Sequence, residues 1–184
     1  MIVLLIIDMQ NAYFEDPALA QRREGLVRSC NSLIREFAAN GAKVLLVGTE
    51  HERDKSTWSL NMLDDDQGFI FRGTEQAAMV SGLETGELPR LIKTRDSAFT
   101  GTDLVSRLRN WDAEELVLAG VATHNCVAQT AADAFAHNFR VVYAEEAMAS
   151  GDEQAAADML RILSAEYRQP VLSTDEIAQR LKGI

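Results

Sequence analysis

The 184-residue chain carries a formal charge of −10, from 28 acidic against 18 basic side chains, a balance that argues against a nucleic-acid footprint or an anionic membrane surface as partner. Its length suits one domain with a substantial core, and an apolar content of 47% is that of a soluble globular protein. Two cysteines form no disulfide framework, no apolar run approaches the roughly 20 residues of a membrane helix, and Met1–Asp8 lacks the basic start and cleavage site of a signal peptide, so a reducing cytoplasm is the expected setting.

Ile2–Ile7 is an unbroken aliphatic run, the pattern of a strand buried on both faces, and Asp8 follows at once. Ala12–Pro17 reads as a loop holding Tyr13 and Phe14. Leu26, Val27, Cys30, Leu33, Ile34 and Phe37 then make one helical stripe that Asn40-Gly41 closes. Lys43–Gly48 is a second buried strand. From Thr49 to about Gly73 no period holds, and a stretch of that length inside a compact domain is usually functional or mobile. A short helix is predicted over Thr74–Val80 with Thr74 as its cap, then a loop over Gly82–Pro89. Arg90–Lys93 reads as a short strand running into Lys93-Thr-Arg-Asp-Ser-Ala-Phe99.

Asp103–Asn110 is a predicted helix, with Leu104, Val105 and Leu108 on one side. Leu116-Val-Leu-Ala-Gly-Val-Ala-Thr-His-Asn-Cys126 begins as a buried strand and ends in polar residues with a thiol at the tip. Beyond it Val127, Thr130, Ala131, Ala134 and Phe135 recur at helical spacing to near Asn138. Arg140–Ala144 is a strand, Asp152–Tyr167 a helix and Pro170–Leu172 a last short strand. Ser173-Thr-Asp-Glu176 has the form of a capping box opening a terminal helix. Apolar strands alternating with helices predict an α/β fold, a parallel sheet covered on both faces. Ligands of such sheets bind at the carboxyl ends of the strands, which puts Asp8, Lys93 and the Cys126 turn on one edge.

A cysteine in the first turn of a helix faces unpaired N–H groups and the positive end of the helix dipole, both of which favour its anion. Of three histidines, His51 lies in the irregular stretch, His137 at the far end of the Cys126 helix, and His124 two residues before the thiol, where it stays a candidate site residue. Asp8 and Lys93 are the better partners. A carboxylate can take the thiol proton and an ammonium can favour the thiolate, a combination expected to lower a cysteine pKa from about 8.5 toward ~3.5–7.5. Taken singly, Cys126 also suits an inert core thiol, Asp8 a turn cap and Lys93 a surface lysine. Cys30 lies on an apolar helical stripe and reads as core.

Three segments carry a resemblance: Leu5-Ile-Ile-Asp-Met-Gln-Asn11, Lys93-Thr-Arg-Asp-Ser-Ala-Phe99 and Gly120-Val-Ala-Thr-His-Asn-Cys-Val127. In this order they resemble the isochorismatase-like cysteine hydrolases, which include nicotinamidases, N-carbamoylsarcosine amidases and ureidoacrylate hydrolases. The likeness spans nearly all of residues 1–184 as one such hydrolase domain. It implies a three-layer α/β/α, Rossmann-like fold on a six-stranded parallel sheet, commonly as a homodimer or homotetramer. It also implies a triad of Asp8, Lys93 and Cys126, a cis peptide between Val121 and Ala122, and an oxyanion hole from the N–H groups of Ala122 and Cys126. The implied reaction is C–N hydrolysis of a small amide, ureido or carbamoyl compound without a cofactor; isochorismatases, which cleave a vinyl ether, often lack the cysteine.

Nicotinamidases bind a divalent metal through an Asp-x-His pair and further histidines after the second strand. Here that stretch is Gly48-Thr-Glu-His-Glu-Arg53 with His51 alone, so no metal is expected. Phe14, Trp58 and Phe99 are candidate pocket walls, and Arg95 pairs either with a substrate carboxylate or with Asp96. Asp64-Asp-Asp66 reads as a solvated loop, because neighbouring residues do not supply the convergent oxygens a hard cation needs.

Overall fold

The computed structural model describes residues 1–183. Six strands form one all-parallel sheet: β1 (Ile2–Ile7), β2 (Lys43–Thr49), β3 (Arg90–Lys93), β4 (Glu115–Val121), β5 (Arg140–Ala149) and β6 (Val171–Leu172), in the order β3-β2-β1-β4-β5-β6. The chain winds outward from β1 to β3, returns, and winds the other way from β4. Its switch point therefore lies between β1 and β4, where parallel α/β sheets open a crevice at their carboxyl ends.

The aliphatic runs become the central strands because both faces are covered. Ile2, Leu4 and Ile6 face α1 (Pro17–Ala39) and the terminal helix, while Val3, Leu5 and Ile7 pack with residues of the helices on the opposite face. In chain order the other helices are α2 (Leu60–Asp64), α3 (Leu104–Asn110), α4 (Ala128–Ala136), α5 (Glu153–Tyr167) and α6 (Thr174–Lys182). Asp16 caps α1 by accepting the amides of Ala18 and Leu19, and Pro17 opens the helix. The capping box at Ser173 and Glu176 forms as the sequence predicts. No helix is long and apolar enough to cross a membrane among the described residues.

Several expectations are corrected. Ala12–Pro17 is not simply a loop, since Asn11–Glu15 is a 3-10 turn leading into α1. Thr74–Val80 is a chain of turns rather than a helix. The Thr74 hydroxyl donates to the Phe71 carbonyl, and the chain leaves to hydrogen-bond Gln10 through Ala77 and the backbone of Asn11 and Ala12. β5 runs to Ala149, not Ala144: exposed Glu145 and Glu146 interrupt its apolar run, and a register shift opposite Leu118 and Gly120 lets pairing resume at Met148. The irregular stretch after β2 contains α2.

Candidate active site

Asp8, Thr49, Lys93 and the Cys126 turn stand side by side at the carboxyl ends of β1, β2, β3 and β4. Asp8 leaves its strand with φ +54, a left-handed conformation unusual for aspartate, and its amide donates to the Val47 carbonyl. Such strain costs of order 1 kcal/mol and persists where surrounding structure enforces it. At the neighbouring strand end Gly120 has φ +108, and a Cβ there would lie 1.9 Å from the Ile7 carbonyl oxygen. Only glycine lets β4 pass β1 this closely before turning toward the thiol. The Val121–Ala122 peptide is cis. Cys126 follows in a single π-helical turn, Thr123–Val127, continuous with α4. The Ala122 carbonyl accepts the amides of Asn125 and Val127.

Asp8 and Lys93 are fully buried and Cys126 nearly so. Lys93 Nζ lies 2.8 Å from Asp8 Oδ2, 2.8 Å from Thr49 Oγ1 and 3.4 Å from Cys126 Sγ. The Thr49 hydroxyl donates to Asp8 Oδ1 at 3.0 Å, and the Tyr13 hydroxyl donates to Thr49 Oγ1 at 3.3 Å. Asp8 Oδ2 touches Lys93 as an ion pair but not along a hydrogen-bond direction, and has no hydrogen-bond partner. The sequence thus brings its three predicted groups within reach of one another, from segments far apart in the chain.

The electrostatics correct one expectation. Burial pushes the Cys126 thiol well above its usual pKa, the negative charge of Asp8 adds to the push, and Lys93 only partly opposes it. The resting sulfur is a thiol, not the activated thiolate that helix position and a neighbouring ammonium predict, because desolvation outweighs both. Burial also works against the Lys93 charge, but the Asp8 carboxylate beside it outweighs burial and holds the ammonium above its ordinary range. Burial, then the charge of Asp8, pushes the Tyr13 phenol well up, so it remains a neutral donor.

A cavity of about 90 Å³ beside Lys93 is lined by Tyr13, Thr49, His51, Met62, Phe69 and Asp96, among others. It adjoins a wider one of about 570 Å³ that shares Met62, Phe69 and Asp96 and reaches Asn125. The stretch after β2 therefore forms one wall. Arg95 lines the smaller cavity, and its guanidinium donates to the carbonyls of Thr57 and Thr94 rather than to Asp96, one of the two partners expected for it. Asp96 instead lies with Oδ1 4.0 Å from Cys126 Sγ.

The three aromatic candidates lie outside the linings of both cavities. Phe14 is core between sheet and α1. Phe99 stacks on His137 and Phe139 at the other end of α4. Trp58 packs on Phe71 and donates from its indole to the Glu52 carbonyl, clamping the loop from within. His124 hydrogen-bonds Ser150 Oγ and is absent from the lining of both cavities. Thr49 and Tyr13 join the site from outside the three motifs. Thr49 carries a usable signal, as the residue directly after the expected strand Lys43–Gly48, which runs one residue further to include it and ends on the same edge as Asp8 and Lys93.

The donors near His51 do not fit a divalent metal. Glu50 and Glu52 are both drawn to Arg72, and no group of three or more metal-ligating side chains converges among the described residues.

Residues 3–176 match the model of the isochorismatase domain. A probable inactive nicotinamidase of Arabidopsis thaliana is 32% identical over 179 residues, covering 92% of this chain and 91% of that protein. An isochorismatase family protein from Desulfovibrio vulgaris superposes with a TM-score of 0.87 at 30% identity, covering 98% of each chain. A nicotinamidase from Bacillus subtilis gives 0.80 at 28% identity, with 92% of this chain and 98% of that one covered. On the match of its sequence and the sheet order that carries its buried acid, ammonium and thiol, this chain belongs to the isochorismatase-like hydrolase superfamily.

Proposed function

We propose that the protein is a cysteine hydrolase that cleaves the C–N bond of a small amide, ureido or carbamoyl compound through a thioester on Cys126. The observation that carries this is the buried Lys93 ammonium lying 2.8 Å from Asp8 and 3.4 Å from the Cys126 sulfur. A lysine held charged between a base and a nucleophile has little purely structural use, since two buried ions cost several kcal/mol each before their attraction offsets it.

In the proposed reaction, Asp8 takes the thiol proton as the sulfur attacks the carbonyl carbon. Lys93 keeps the negative charge stable while it moves from carboxylate to sulfur. The N–H groups of Ala122 and Cys126 receive the developing oxyanion, a contribution of ~3 kcal/mol per donor in comparable sites. Collapse breaks the C–N bond, and protonated Asp8 returns its proton to the departing nitrogen. Water, deprotonated by Asp8, then adds to the thioester, releasing the acid and restoring the thiol. The raised thiol pKa fits this order, because the thiolate need exist only as its proton leaves. The two unpaired cysteines, Cys30 and Cys126, suit a reducing cytoplasm.

One observation favours a second reading: the plant relative is described as probably inactive, and a binding protein could keep the fold. Ammonia release from a panel of amides, carbamoyl acids and ureides, with nicotinamide included, separates the two. At least one compound is expected to be turned over, with Cys126→Ala reduced to background while keeping the wild-type circular dichroism spectrum. Undiminished turnover in that variant would end the thioester mechanism, and no turnover by the folded wild type would favour the binding reading.

A further inference from the structure

The geometry points to Thr49 as a positioning residue that decides which oxygen of Asp8 receives the proton. This rests on the reading of Cys126 as nucleophile and Asp8 as its base. A threonine hydroxyl has one hydrogen to give and two lone pairs. The Lys93 ammonium, which can only donate, lies 2.8 Å from Thr49 Oγ1. The Tyr13 phenol, kept neutral by burial and by the charge of Asp8, lies 3.3 Å away. With both lone pairs engaged, the hydroxyl hydrogen has one acceptor left, Asp8 Oδ1 at 3.0 Å. Asp8 Oδ1 therefore already holds a donor. Asp8 Oδ2 is buried with no hydrogen bond and only the Lys93 ion pair at 2.8 Å against it, so of the two oxygens it is the one that lacks a hydroxyl donor and is open to the thiol proton.

Thr49 is itself clamped. Its amide donates to Gln10 Oε1 at 2.7 Å, and its carbonyl accepts from Gln10 Nε2 at 2.8 Å. Gln10 is buried and donates a second time to the Ala77 carbonyl. These bonds admit only one orientation of the Gln10 amide. Because Gln10 lies two residues after Asp8, the clamp ties the ends of β1 and β2 together and sets the hydroxyl against the carboxylate. A hydroxyl that must accept two hydrogen bonds and donate a third has a fixed direction, so the carboxylate is aimed before substrate arrives.

The test uses iodoacetamide labelling near neutral pH, with Cys126 and Cys30 followed separately by peptide mass spectrometry in the whole protein. In the wild type Cys126, with a base beside it, is expected to label faster than Cys30, which is fully buried in the core with no base beside it. Thr49→Val should slow labelling of Cys126 by about tenfold, within the span that a positioned base contributes, and Thr49→Ser should stay within about twofold of wild type. On any amide that the wild type turns over, the same variant should lose kcat with little change in KM. If valine prevents folding, Thr49→Ala takes its place. Wild-type labelling in Thr49→Val, or failure of serine to restore the rate, overturns the role of the hydroxyl while leaving the nucleophile in place. Wild-type Cys126 labelling no faster than Cys30 sinks the underlying reading instead.

Discussion

Cys126 shows how far a side chain's chemistry departs from its sequence neighbourhood. A helix start and a lysine on the same edge both favour thiolate, and both are present, yet burial and the Asp8 charge set the opposite direction. The sign can be tested one charge at a time. Asp8→Asn removes a group that raises the thiol pKa, so the ultraviolet absorbance of thiolate should appear at lower pH than in the wild type while turnover disappears with the base. Lys93→Met removes the opposing charge and should move the same titration to higher pH. If Asp8→Asn shifted it upward, Asp8 would not be acting on the sulfur as its charge requires. The identity of the three groups was legible in the motifs. Their protonation was not, because desolvation depends on what covers them, and the covering residues Tyr13 and Thr49 come from other segments.

At the scale of elements, legibility followed pattern strength. The aliphatic runs Ile2–Ile7 and Leu116–Val121 could only be central strands, and the capping box at Ser173 fixed the start of α6. The pattern failed where polar residues serve a tertiary partner. The Thr74 hydroxyl turns back to the Phe71 carbonyl, so its segment folds as turns that meet Gln10, and the exposed glutamates of β5 disguised a strand that continues. Phe14 and Phe99 went to the core for the ordinary reason that burying an aromatic ring yields more than leaving it in a wet cleft. Gly120 is the element-level constraint on the site. Gly120→Ala should destabilise the protein by ~3 kcal/mol or more, since the added methyl meets backbone that cannot yield and the φ is disfavoured. A urea melt reads this, and an unchanged midpoint would mean that β1 and β4 can separate without penalty.

Over the whole molecule, the sequence foretold which rim of the sheet gathers Asp8, Lys93 and Cys126, because strand ends and a switch point are topological facts. The walls of the cleft were beyond it: the segment from Thr49 to Gly73 takes its shape from contacts such as Trp58 on Phe71, which no local period encodes. The four groups at the centre come from four consecutive strands of the sheet, yet they are not equally secure. Lys93 ends β3, a four-residue border strand bonded to β2 alone, with Arg90 and Ile92 open to solvent. A border strand this short can peel away at a fraction of the free energy of global unfolding, carrying the ammonium with it. Heating should therefore abolish the proposed turnover several degrees before the helices melt, reversibly on cooling, and loss of both signals at one temperature would show β3 to be as firmly seated as its neighbours. Grafting longer pairing onto that margin would then widen the working temperature range without altering a single group that touches substrate.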